Sequence, residues 1–242
     1  NSNDNYSNII ATATSVGNFA TNYFTLATAN FQNPYDGEFR LRLVNGTNVV
    51  LSYIGTEEYV WTDVSGNFSA NGNWRDSVAP PPGKTNVALF FGGSTVSGYV
   101  ASNDLNGLLT KRVTLTNATT TLQTISGNSF TFVGLTPELD QNGSGAFQIN
   151  NDIVLNSTVL LTGTGNGTVE LAGNVSGTHG LTKTGSWTMV LSGNNSYSGA
   201  TVVRAGTLAV AGTNALAGST LSNLVDGAVV FTNLTLANLG GL

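Results

Sequence analysis

Apolar and polar residues alternate over strand-length stretches along most of this chain, and glycine or asparagine breaks the alternation every few positions. A period of two belongs to extended backbone, and the 3.6-residue period of a helix is almost nowhere visible. Glu38 to Val44 (EFRLRLV), Asn48 to Ile54 (NVVLSYI) and Arg112 to Thr116 (RVTLT) show it, as do TVVRAGTLAVAG and AVVFTNLTL near the end. The chain therefore reads as all-β. From residue 105 on, segments such as LTGTGNGTVELAGNVSG, LTKTGSWTMVLSGNNSYSG and VRAGTLAVAGTNALAG share one scheme: a strand, a glycine-containing corner, another strand. Hairpin spacing is missing there, so the strands are expected to stack as coils in a parallel β-solenoid, about 4.8 Å apart along its axis. Three strands of about five residues and three corners of about three give a coil of roughly 24 residues. Residues 105–242 would then form about six coils, above the three or so that stability needs.

Three zones differ in texture. Residues 1–58 are expected to be a β-rich region, sandwich-like or an assembly strand, with a hairpin turn at Asn45-Gly46. Residues 59–104 hold two of the three tryptophans and the run Pro80-Pro81-Pro82, a rigid extended connector. They read as a β cap over the first coil. Residues 105–242 are the β-helix. The charge supports this reading. Only 9% of the residues are charged, whereas 84 are Asn, Ser or Thr, so hydroxyls and amides wet the surface, and stacked coils can pair them in ladders.

Composition also excludes chemistry. There is no cysteine and one histidine, which removes thiolate catalysis, disulfides and Cys/His zinc sites. The net charge of −5 comes without a basic cluster, which argues against nucleic acid as a partner. No apolar run reaches the 18–20 residues of a membrane helix. No signal peptide or initiator methionine is present, so a mature chain or a fragment is expected.

Residues 181–208, LTKTGSWTMVLSGNNSYSGATVVRAGTL, closely resemble the autotransporter-associated β-strand repeat of large bacterial surface proteins. The matching positions are Leu181, Lys183, Gly185, Leu191, Gly193, Asn195, Tyr197, Gly199, Thr201, Gly206 and Leu208. Trp187 departs from the pattern, since the family usually has a second glycine there. Residues 59–92 look like the Trp-rich segment that often precedes such repeats. The resemblance implies a right-handed parallel β-helix displayed outside the cell, with no catalytic residues and no cofactor. In physical terms the glycines suit corners at positive φ, the leucines the solenoid interior, and Tyr197 a buried ring with its hydroxyl at the rim.

Four candidate sites remain. His179 lies in a corner and lacks a nucleophile beside it, so it reads as an exposed turn residue. Glu138 and Asp140 form a close carboxylate pair, as a polysaccharide-cleaving enzyme needs, but LTPELDQNGSG is a loop by composition. Asp140, Asn142 and Ser144 have the oxygen spacing of the front half of a calcium loop without its closing glutamate, and read as an Asn-Gly turn. Tyr59, Trp61, Phe68 and Trp74 could stack on a glycan, or cap the solenoid. Ten Asn-x-Ser/Thr sequons follow from the composition. The expected function is a non-enzymatic extracellular β-rod. Its alternatives are an adhesin or carbohydrate-binding module and, behind that, a polysaccharide-cleaving enzyme. The opening strand-like IIATATSV and the closing LTLANLGGL suggest bare ends. Two coverings are expected for them, the rest of a larger surface protein or head-to-tail self-association into filaments.

Overall fold

The computed structural model describes residues 6–20, 37–93 and 97–241. It divides into two compact units, residues 1–57 and 58–242. The zone 59–104, read as a cap over the first coil, lies in the same unit as the β-helix.

In the first unit three antiparallel strands, β1 (Tyr6–Thr12), β2 (Gly37–Val44) and β3 (Asn48–Gly55), are ordered β1-β3-β2. β2 and β3 form the expected hairpin, with Val44 opposite Asn48. Asn45 and Gly46 both sit at positive φ, 54° and 69°. These are the two residue types that tolerate the left-handed turn whose twist matches the flanking strands. β3 buries Val49, Val50 and Tyr53. β1 is exposed along its whole length, with Ile9 60% exposed.

The second unit is a parallel β-solenoid of about 7 turns. Its first face stacks Glu57–Val60, Val87–Phe91, Arg112–Leu115, Glu138–Gln141, Val159–Thr162, Leu181–Lys183 and the start of Thr201–Val210. A second face runs from Gly66–Asn67 through Val100–Asn103, Gln123–Gly127, Phe147–Ile149 and Thr168–Leu171 to Thr188–Leu191 and the far half of Thr201–Val210. A third, shorter face holds Leu108–Thr110, Phe130–Phe132, Ile153–Leu155 and Val175–Gly177. From Val87–Phe91 and Gly66–Asn67 onward the pairings between coils on these faces are parallel.

The coil length changes along the axis. On the first face the register runs Ala88, Arg112, Glu138, Leu160, and one position back Val159, Leu181, Thr201, Leu221. The early steps thus span 24 and 26 residues and the last two span 20. The coils shorten because the third face loses its strand after Val175–Gly177 and becomes a bare corner. The first two faces then merge into the continuous strand Thr201–Val210, which bends at a bulge between Val203 and Ala205.

Alternation places one residue in two inside. Ala101, Ile125, Ile149, Leu171, Leu191 and Val210 lie directly above one another in register, and all are buried. Facing columns pack Phe130, Ile153 and Val175 against them. Corners stack just as closely. A Cβ added at Gly143 would run into the Asn117 backbone, and one at Gly165 into that of Gly143, so these positions carry glycine for lack of space. Where a corner residue has a side chain, it spans coils. An exposed ladder runs from the Asp152 carboxylate to the Asn174 N–H (2.8 Å), the Asn174 carboxamide to the Asn194 N–H (3.1 Å), and on through Asn214 to Asn238.

Because Ile149 is fully buried between Ile125 and Leu171 in its lumen column, Ile149→Ala is expected to cost roughly 2–5 kcal/mol. Thr131→Ala, on the outer side of the third face, should stay within about 0.5 kcal/mol. Denaturant midpoints of the two variants against the parent chain measure the contrast.

Candidate functional site

The coil formed by residues 181–210 gathers the repeat motif. Leu181, Leu191 and Leu208 point into the lumen and are buried, as the sequence suggested. The remaining positions do more than turn corners. Asn195 lies at the corner where the third face has dropped out. Its Oδ1 accepts from the Val175 N–H (2.8 Å) one coil earlier, and its Nδ2 donates to the Ala215 carbonyl (2.9 Å) one coil later. One carboxamide thus ties the corner to the coil on either side, beside backbone bonds from the Ser196 and Tyr197 N–H groups to the Val175 carbonyl.

Tyr197 buries its ring, and its hydroxyl lies 2.6 Å from Thr201 Oγ1, not at the rim but inside. Thr201 Oγ1 is 2.8 Å from Ser219 Oγ, which donates to the Gly199 carbonyl at 2.7 Å. A carbonyl can only accept, so the protons of this chain run from Tyr197 through Thr201 and Ser219 to Gly199. Burial pushes the Tyr197 phenol above its ordinary range. Gly193 and Gly199 sit where a Cβ would meet the backbone of Gly173 and of His179-Gly180.

Lys183 is the anomaly. It occupies a lumen position, between Leu161 and Val203 in register, and is 1% exposed. Its Nζ donates to the Gly185 carbonyl at 2.5 Å and lies 4.0 Å from the Trp187 ring centroid. The Trp187 indole in turn donates to the Thr162 carbonyl at 2.7 Å. Gly206, at φ 67°, makes the room, since a Cβ there would come within 2.8 Å of the lysine nitrogen. Trp187, the departure from the repeat pattern, is thus a wall of the lysine's cage. Sequence reading missed the cage because nothing in the spacing Lys-x-Gly shows that the lysine turns inward.

The other candidates fall elsewhere. His179 is exposed in its corner, its Nδ1 3.3 Å from Thr178 Oγ1. Glu138 and Asp140 are not in a loop: Glu138–Gln141 is a first-face strand, with Leu139 and Gln141 buried and the two carboxylates on the outer side. Composition misled here because Gln141 and Asn142, loop-favouring by type, serve the lumen and the corner. Gln141 Nε2 donates to the Gly145 carbonyl at 3.0 Å. Asp140 accepts from Thr114 at 3.4 Å, and Asn142 Oδ1 accepts from the Thr164 N–H at 2.9 Å in the next coil. Ser144 is exposed in the same corner. The described residues contain no group of three or more His, Asp or Glu able to hold a metal.

Tyr59, Trp61, Phe68 and Trp74 are all buried, so no ring face is open for a saccharide to stack on. Trp61 and Trp74 meet edge to face at 4.9 Å, and Phe68 packs against both and against Phe91, whose column continues as Leu115. Their indole N–H groups are spent on the Val64 and Phe68 carbonyls at 2.9 and 2.8 Å. The four residues fill the first turn of the solenoid, which is why the glycan platform is replaced by a plug.

Two outcomes are expected. Asn195→Ala should leave the Val175 N–H and the Ala215 carbonyl unpaired, at roughly 1–3 kcal/mol for each buried group, visible as faster hydrogen exchange at residues 175–177 and 214–216. Tryptophan emission of the parent chain should be blue-shifted and unmoved by a panel of glycans. A glycan-dependent shift would reopen the aromatic cluster as a binding surface.

The passenger-associated-transport-repeat family model matches residues 181–210, the coil just described. Neither a curated protein nor a solved structure matches the chain. The matched segment covers Lys183 and Trp187 of the lysine cage, Asn195, and the Tyr197 and Thr201 hydroxyls, whose chain continues to Ser219 beyond the match. With this repeat set in a β-solenoid, the chain fits an autotransporter passenger-type repeat protein.

Proposed function

We propose that this chain is a non-enzymatic structural segment of the bacterial cell surface or extracellular matrix, a stiff β-rod exported as part of a passenger. The observation that carries the reading is the use made of the repeat. Its polar side chains, the usual carriers of chemistry, are turned inward and bonded there: Asn195 and Thr201 reach the neighbouring coils, and Lys183 and Tyr197 find partners within their own. A backbone hydrogen-bonded to the coil on either side resists bending, and each coil adds length without a new tertiary problem. No helix among the described residues is long and apolar enough to cross a membrane.

The outward carboxylates Glu138 and Asp140 supply the test. Incubated with a polysaccharide panel, the purified chain is expected to produce no new reducing ends or unsaturated sugars. Turnover abolished by Glu138→Gln or Asp140→Asn would replace the rod with an enzyme. Surface display is checked by protease shaving of intact producing cells, which should release fragments of the solenoid.

Self-association into filaments is the finer part of the proposal. It is supported by β1, an edge strand of its sheet among the described residues, with Ile9 and Ile10 more than half exposed. Such an edge is a template for pairing with another chain. Deleting residues 1–30 is expected to leave the solenoid folded by circular dichroism and to abolish polymerisation in sedimentation velocity. Fibres from the truncated chain, or a monodisperse intact chain at high concentration, would remove self-association and leave the rod.

A further inference from the structure

A buried amine in a solenoid lumen calls for a reason. The column that holds Lys183 is otherwise apolar nearby: Val113, Leu139 and Leu161 precede it in register and Val203 follows. A leucine or methionine there would continue the packing without a desolvation penalty. The ammonium instead receives one carbonyl and one indole face, and no carboxylate lies within salt-bridge reach among the described residues.

We propose that Lys183 is a pH-operated latch of the repeat coil. With its amine neutral, the coil packs as one more apolar rung. With its amine protonated, the charge has to be carried by the Trp187 face and the Gly185 carbonyl alone, and this rung is the one at which the solenoid opens first.

The surroundings favour a single-group response. Of the strands packed on this one, Val159–Thr162 and Thr188–Leu191 hold no titratable side chain, and Thr201–Val210 holds only Arg204, which is exposed. Tyr197, in the same coil, has its phenol raised by burial, away from the neutral range. Desolvation lowers the lysine itself to about 8, against roughly 10.4 in an unfolded chain. The sign follows from proton counting. Below about pH 8 the amine is protonated folded and unfolded, and the whole cost of the buried charge weakens the coil. From there to about 10.4 the unfolded chain holds more protons, so stability rises with pH.

Lysine labelled with carbon-13 at Cε gives three signals, for Lys84, Lys111 and Lys183. Single Lys84→Arg and Lys111→Arg variants assign them by elimination. The Lys183 signal is expected to titrate with a midpoint near 8, and a midpoint at or above about 10.4 would overturn the latch. Hydrogen exchange locates the response. Corrected for intrinsic rates, the opening constant of amides in residues 181–191 should fall roughly 25-fold between pH 7 and 9.5, while residues 147–155 change little. In Lys183→Met, a side chain of similar length without the charge, the same amides should be better protected at pH 7 and indifferent to pH. Equal pH responses in the parent and the variant, or a response spread over the whole solenoid, would show that the lysine only fills space. Should Lys183→Met fail to fold, the parent's titration midpoint and its exchange profile decide the question alone.

Discussion

Everything in the second unit depends on parallel, in-register pairing of each coil with the next. A backbone strand about 4.8 Å above another leaves room for nothing but matched residues, because a side chain's own neighbours along the axis are its equivalents in adjacent coils. That spacing makes columns of Ile125, Ile149, Leu171 and Leu191 possible, and it also dictates the corners. Gly143, Gly165, Gly173 and Gly193 are stacked so tightly on neighbouring backbone that a methyl group has no place. Length can vary from 20 to 26 residues per coil only because insertions enter at corners, away from the ladders.

Corners create the second demand. Where the chain turns, its N–H and C=O groups cannot all reach the adjacent coil, and those left inside need partners. Buried carboxamides provide them. Asn117 donates to the Thr121 and Ala146 carbonyls and accepts from Thr119, and Gln141 bridges the Gly143 N–H and the Gly145 carbonyl. Asn195 does the same for the repeat. The high asparagine and threonine content is therefore not only a surface property. Amides and hydroxyls can both donate and accept inside a solenoid without the penalty that an ion would incur.

Lys183 stands against that economy. One charge-bearing group is placed where every neighbouring coil has an aliphatic residue, and three further motif positions, Gly185, Trp187 and Gly206, are shaped around it. A site built this closely is coupled to its protonation state, since the low-dielectric interior offers the ammonium no water. The same coil has no third-face strand, and at that corner the Asn195 side chain bonds to the coil on either side.

The sequence by itself determined the fold class, the stacking of coils, the Asn45-Gly46 hairpin and the interior place of Leu181, Leu191 and Leu208. These are local matters: a period of two, glycine at corners and a repeated scheme all act within a few residues. Tertiary structure alone decided where the solenoid starts, that the aromatic quartet faces inward, that Glu138–Gln141 is a strand, and that Lys183 is buried. Residue type could not reveal these, because a tryptophan or a lysine can lie on either side of a strand, and the choice depends on what the coils above and below present. Gln141 looks like a loop residue until Gly143 and Gly145 are folded under it. The lysine looks like a solvated charge until Gly206, 23 positions on, leaves the gap that its nitrogen fills.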